Sequence, residues 1–177
     1  MKLVLPAAEY KDSFIEAVKE FQKDTEFPLG TGWYHDLSLP ELEKDFGSFV
    51  QRLLKQSEGK DLPRGFVPQD NFWLVDEGEF IGAIRIRRRL NDHLRQIGGH
   101  IGYAVRPSRR RRGYGEKILE LALRKARELG IQRILVTCDV TNAPSQKIIA
   151  KNGGVLENQV PNPETGVDKL RYWIAIK

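Results

Sequence analysis

The spacing of apolar residues changes near residue 70. Before it, residues 7–21 (AAEYKDSFIEAVKEF) carry Phe14, Val18 and Phe21 at helical intervals, after a short apolar start that reads as a first strand. Residues 22–37 include FPLGTGWYHDL, whose glycines and aromatics predict an ordered loop. Ser38, Pro40 and Glu41 form a capping-box helix start, and Leu42, Phe46, Phe49, Val50 and Leu53 supply the buried face of that helix. The stretch SEGKDLPRGFVPQDN follows. Neither side of it is large enough to fold alone, so it marks a boundary between layers of one domain.

From residue 72 the pattern is that of strands. FWLVD, a turn at Glu77 and Gly78, and EFIGAIRIR predict a hairpin, and HIGYAV predicts the next strand. Residues 115–129 return to helical spacing through Ile118, Leu121, Ala122, Ala126 and Leu129, with Gly130 as the stop. IQRILVTCDV reads as a strand, residues 144–152 as a short helix ending at Gly153 and Gly154, and LRYWIAI as a last strand. This order implies an α/β or α+β arrangement, a sheet covered by helices.

Composition narrows the function classes. With 177 residues, 40% apolar and 30% charged, the chain has the profile of one soluble domain. No run of 18 apolar residues occurs, and MKLVLPAAEYKDSF turns polar too early for a signal peptide; a cytoplasmic protein without membrane association is the expectation. Cys138 is the only cysteine, and His35, His93 and His100 lack metal-binding spacing, so no disulfide and no metal site is expected. The net charge of +5 is concentrated in the middle of the chain, at Arg85, Arg87, Arg88, Arg89 and Arg95 and again at Arg106, Arg109, Arg110, Arg111 and Arg112. Such a balance suits an anionic ligand, although many plain surfaces are equally basic.

The second arginine group runs into Gly113, Tyr114 and Gly115, between a predicted strand and a predicted helix. Glycines allow a tight turn with converging N–H groups, the helix start adds positive potential, and arginines add bidentate contacts, an arrangement suited to a pyrophosphate. The segment lacks the third glycine of a dinucleotide fingerprint and the Gly-Lys-Ser/Thr of a P-loop. A solvated basic turn and a nucleic-acid contact are the alternatives, the latter without a supporting motif.

At these residues the chain resembles the GCN5-related N-acetyltransferase superfamily. Arg110, Arg111, Arg112, Gly113, Tyr114 and Gly115 match its Gln/Arg-x-x-Gly-x-Gly/Ala signature, and ILVTCDV and NAPSQKIIAKNGG follow in the family's order. The resemblance implies a mixed, largely antiparallel sheet in a three-layer α/β (α+β) fold, with strands four and five splayed. It implies a single domain over 1–177, in which 1–71 form N-terminal helices and acceptor-site loops and 72–177 the acetyl-CoA-binding core. Acetyl-CoA would be held by Val105, Arg110, Arg111, Arg112, Gly113, Tyr114 and Gly115 and contacted by Asn142 and Ser145. Asn142 could equally cap the helix that follows it, with Ser145 in the first turn.

The chain departs from the family at its chemistry. The tyrosine that protonates the leaving thiolate in many members falls at Ile149 here, and the usual fourth-strand glutamate is missing from GGHIGYAV. Tyr172 and Tyr103 are the substitute acids and His100 the substitute base, each also readable as a plain sheet residue. Arg85 and Arg87 alternate onto one face, where they could draw in a carboxylate. Trp33, Tyr34, His35 and Asp36 could shape an acceptor pocket, while Cys138 reads as buried packing. The expected function is acetyl transfer to a primary amine of a small molecule or peptide. A non-catalytic acyl-CoA sensor and, behind it, a nucleic-acid module are the alternatives. A homodimer through NQVPNPETGVDKLRYW is a further expectation.

Overall fold

Helices and strands alternate as the spacing of apolar residues dictates, and the chain builds two apolar layers on opposite faces of one sheet. A computed structural model describes residues 1–25, 34–60, 62–63 and 65–176. The strands are β1 (Lys2–Val4), β2 (Gln69–Asp76), β3 (Glu79–Arg87), β4 (Ile101–Val105), β5 (Arg133–Asp139), β6 (Val155–Val160) and β7 (Lys169–Ala175). The helices are α1 (Lys11–Lys23), α2 (Leu39–Lys44), α3 (Phe46–Lys55), α4 (Tyr114–Glu128) and α5 (Ala143–Lys151).

The sheet order is β1-β2-β3-β4-β5-β7-β6. All neighbours run antiparallel except β4 and β5, which are parallel and share a single paired position, Ile101 with Val136. One face of β2 and β3 is covered by α1, α2 and α3. There Phe14 stacks on Trp73 at 4.8 Å and meets Phe80, Phe49 and Tyr34 within 5.2 Å. The other face is covered by α4 and α5, where Ile118, Leu119, Ala122, Ala126 and Ile149 pack on Ile84, Ile86, Ile101, Ile134, Val136 and Ile174. Fully burying one such side chain contributes about 1.5–3 kcal/mol.

The family-type mixed sheet expected from the sequence is present, with differences in detail. The helix predicted from Ser38 is two helices: Ser38 Oγ accepts from the Glu41 N–H as the capping box requires, but Asp45 ends α2 and caps α3 by accepting from the Ser48 N–H at 3.0 Å. Edge strand β6 has no counterpart in the sequence reading because its residues are mostly exposed and lack alternation. A single π turn, Leu94–Gly98, precedes β4 where a plain connection was expected. Among the described residues no helix is long and apolar enough to cross a membrane.

Candidate active site

Residues 106–115 form the turn between β4 and α4, and carboxylates hold much of it in place. The buried Arg106 guanidinium donates to Glu20 and to Glu79, both at 2.7 Å. Arg109 makes a bidentate pair with Glu79, while Glu20 also accepts from the Ser108 N–H and hydroxyl at 3.0 Å. The Ser108 contacts and Arg106 hold the Glu20 carboxyl below its ordinary range, although partial burial opposes them as the largest single influence. Arg110 points toward α1: it pairs with the buried Asp24 and donates to the Val105 carbonyl. Its side chain is thus engaged in holding the turn, whereas the resemblance implied a cofactor contact for it.

What remains at the turn fits an anion. Arg111 and Gly113 have φ of 60° and 81°, a left-handed geometry that turns successive backbone amides toward one side. Gly113 begins α4 with no side-chain cap on the helix, and it is exposed together with Arg111 and Arg112. A fifteen-residue helix thus presents uncapped first-turn N–H groups and positive potential beside an arginine. Gly115 serves a different need, since a Cβ there would stand 2.6 Å from Ile148 Cδ1 where α4 crosses α5. Tyr114 donates its hydroxyl to Asp76 at 2.9 Å. The cleft of about 300 Å³ on that side is lined by Asp76, Glu77 and Glu79 against Arg109 and Arg112, so its three carboxylates make it a poor seat for a diphosphate.

Beyond Ile101 the strands part, and the hydroxyl groups gather at the gap. Tyr103 on β4 meets Ser145 on α5, hydroxyl to hydroxyl, at 2.9 Å. The Ser145 hydroxyl also approaches the Cys138 thiol, and burial pushes that thiol up to about 11, which makes it an inert packing group. Burial likewise pushes the Tyr103 phenol up to about 12, so it keeps its proton throughout the neutral range. Tyr172 lies on the same sheet face, buried in the α5 layer, with its pKa raised by burial and by Cys138. Asn142 caps α5, its side-chain oxygen accepting from the Ser145 N–H at 3.0 Å, so its amide nitrogen is the group left for a ligand. Ile149 is fully buried in the α4/α5 layer, which explains an aliphatic residue there.

His100 stands apart, on the opposite face at the foot of β4. Its Nδ1 accepts from the Leu135 N–H at 2.9 Å, while the His100 backbone N–H donates to the Leu135 carbonyl at 2.7 Å. Burial, helped by Arg87 and Arg95, lowers its pKa to about 4. The neutral ring therefore carries its proton on Nε2 and has no free lone pair, which overturns its assignment as general base. Arg87 donates to the Gly98 and Gly99 carbonyls at 3.3 and 3.1 Å, and Arg85 on the same face is half-buried, its pKa lowered by burial. Tyr34 is a core residue against Phe14 and Phe21, His35 is half-buried, Asp36 is exposed, and Trp33 lies outside the described residues.

Sequence reasoning missed the carboxylates Glu20, Asp24 and Glu79, because their arginine partners are distant in sequence. It also missed the π turn behind His100.

Solved structures of similar architecture place these features in context. Mycobacterium smegmatis RimJ in complex with CoA-disulfide matches with TM-score 0.70 and 19% identity over 98% of this chain and 80% of that one. RimL, a ribosomal L7/L12 alpha-N-protein acetyltransferase in complex with coenzyme A, gives 0.69 and 20% over 98% and 93%. The microcin C7 self-immunity acetyltransferase MccE, in complex with acetyl-CoA and AMP, gives 0.68 and 16% over 98% and 91%. These likenesses carry the fold. No curated sequence matches this chain. The sequence model described as the acetyltransferase (GNAT) family matches residues 21–153, from α1 through the β4–α4 turn to the end of α5. With three quarters of its length matched and the splayed strands and uncapped helix start in place, the chain belongs to the acetyltransferase (GNAT) family, enzymes whose acyl donor is acetyl-CoA.

Proposed function

We propose that the protein transfers an acetyl group from acetyl-CoA to a primary amine of a small molecule or peptide by direct attack in a ternary complex. The observation that carries this reading is the gap between β4 and β5, which opens after one paired position and has the Tyr103 and Ser145 hydroxyls at its side. The backbone of 111–115 and the Arg111 and Arg112 side chains would hold the diphosphate, with Val105 and the Asn142 amide along the pantetheine arm. Bound there, acetyl-CoA supplies an activated acyl group as a thioester.

The chain's own contribution is positioning and a hydrogen-bond donor. The acceptor nitrogen forms the C–N bond at the acyl carbon, the C–S bond breaks with its electron pair going to sulfur, and the surplus ammonium proton passes to water. Ser145 donates to Tyr103, and the Tyr103 hydroxyl donates to the departing sulfur, replacing the tyrosine that Ile149 cannot supply. Tyr172 packs beside this pair and supports it from the core. Residues 1–71 would supply the N-terminal helices and acceptor-site loops and 72–177 the acetyl-CoA-binding core, which also carries part of the acceptor site, in one domain that acts in the cytoplasm.

Calorimetric titration with acetyl-CoA and CoA tests binding, and thiol release over an amine panel tests turnover. Saturable binding is expected, with kcat in Tyr103→Phe lowered about 10- to 100-fold and acetyl-CoA affinity kept. Tight binding without turnover of any amine points to an acyl-CoA sensor instead. No binding at low salt overturns the reading.

A further inference from the structure

A second cleft, of about 290 Å³, lies on the sheet face opposite the Tyr103 and Ser145 hydroxyls. Its lining comprises Arg89 and Leu90 after β3, Arg95 in the π turn, His100 and Leu135 at the foot of β4 and β5, and Arg171 and Trp173 on β7. Register places His100, Leu135 and Trp173 side by side on one face, with the imidazole and indole centroids 6.2 Å apart. The floor is apolar and aromatic, and three guanidinium groups form the walls. Among the described residues no carboxylate belongs to the lining. Glu157 pairs with Arg171 at 3.0 Å and offsets one of the three charges, and Asn158 accepts from the same guanidinium at 3.1 Å. Arg89 and Arg95 are exposed, and His100 adds no negative charge in its neutral state.

The cleft is distinct from the diphosphate turn: His100 and Val105 bound β4 at opposite ends, roughly 17 Å apart at about 3.4 Å per residue. Among the described residues, the helices α1, α2 and α3 cover this face over β2 and β3, and none of them packs on the β5 and β7 half beside the gap. An acceptor entering here meets arginines before it reaches the stretch of β4 that carries Tyr103, about 10 Å farther along the strand. On these grounds we infer that the acceptor is a small amine bearing an oxyanion, a carboxylate or a phosphate, which Arg89, Arg95 and Arg171 hold over the Trp173 ring while the amine reaches the gap. Guanidinium groups bind both oxyanions through paired N–H donors, so the geometry defines the shared chemistry.

This inference rests on the acetyltransferase reading, and its test separates the two. Initial rates of thiol release are measured for free α- and ω-amino acids, for their carboxamides, for O-phosphoethanolamine, and for diamines. The expected result is kcat/KM at least tenfold higher for one anionic class than for its neutral counterpart, the amino-acid and phosphoamine arms telling carboxylate from phosphate. In Arg95→Gln and Arg89→Gln that preference falls about tenfold through KM, while calorimetric acetyl-CoA affinity is unchanged. Arg171→Gln behaves alike, with circular dichroism confirming its fold. Equal rates for anionic, neutral and cationic amines, or a preference that survives the substitutions, overturns the inference and leaves the acetyltransferase reading intact. Failure to bind acetyl-CoA removes both. If acetyl-CoA binds and no amine in the panel reacts, titration with inorganic phosphate decides. Quenching of indole fluorescence that is absent in Trp173→Phe and in the Arg89→Gln/Arg95→Gln double variant supports the anion site, and no quenching overturns it.

Discussion

His100 offers a stability test whose sign and size follow from its surroundings. The ring is buried (9% exposed), accepts a hydrogen bond from Leu135 on Nδ1, and faces Arg87 and Arg95, so protonation would desolvate a cation, break the bond and add a third positive charge. Its folded pKa is about 4, below the unfolded value near 6.5. The unfolded chain therefore binds the proton first. Stability is complete above pH 6.5 and is lost as pH falls toward 4, after which this contribution is constant. Taking those two values, the loss between pH 7.5 and 5 is about 2 kcal/mol. In a chain of this size that lowers Tm by roughly 4–8 °C. The assay is urea unfolding at several pH values for the wild type and His100→Asn. The asparagine oxygen can still accept from Leu135 but does not titrate in this range. The difference between the two proteins isolates the imidazole, because the carboxylates are common to both. Parallel losses in both proteins would refute the buried neutral ring, and with it the argument that His100 has no lone pair to act as base.

Arg106→Met leaves Glu20 and Glu79 without their shared buried partner. Because Ser108 and Arg109 still serve those carboxylates, the expected cost is about 2–3 kcal/mol in urea unfolding, below the 3–5 kcal/mol of a fully buried broken pair. Gly113→Ala meets no atom within 4 Å but must hold a φ of 81°, so stability falls by about 1–2 kcal/mol. Calorimetric acetyl-CoA affinity falls at least tenfold; lower stability with unchanged affinity would remove the turn from the binding site. Cys138, 5% exposed and with its pKa pushed up to about 11, is expected to react with a thiol-specific alkylating reagent at neutral pH only as the protein unfolds, which mass spectrometry along a urea series checks.

Local signals made most of the fold legible. The recurrence of Phe14, Val18 and Phe21, and of Ile118, Ala122 and Ala126, records faces that meet a sheet, and the structure buries all of them. Where the two halves of a signal conflicted, the sequence reading chose one. Residues 38–53 have a continuous apolar face, yet Asp45 offers a better cap for a new helix than a continuation of the old one, and the chain breaks there. Strand β6 gave no signal because a strand at the sheet edge buries little, and its main support is backbone pairing to β7.

The site was legible only where its chemistry is local. A left-handed turn before a helix is written in consecutive residues, so the cradle at 111–115 could be found from the glycines. The roles of the individual arginines could not, because the same residue type serves opposite purposes within seven positions. Arg106, Arg109 and Arg110 are consumed by Glu20, Glu79 and Asp24, residues 27 to 86 positions away, while Arg112 lies exposed at the helix start. Charge along the sequence therefore overstates the field at the turn, since each paired carboxylate cancels one guanidinium. At the second cleft the same reasoning points the other way: Arg89, Arg95 and Arg171 come from three separate segments, among the described residues only Arg171 of the three has a carboxylate partner, and the fold concentrates a positive charge that the sequence scatters. An anion drawn to this protein should accordingly be held less by the run of four arginines than the sequence suggests, and more by three that are never adjacent.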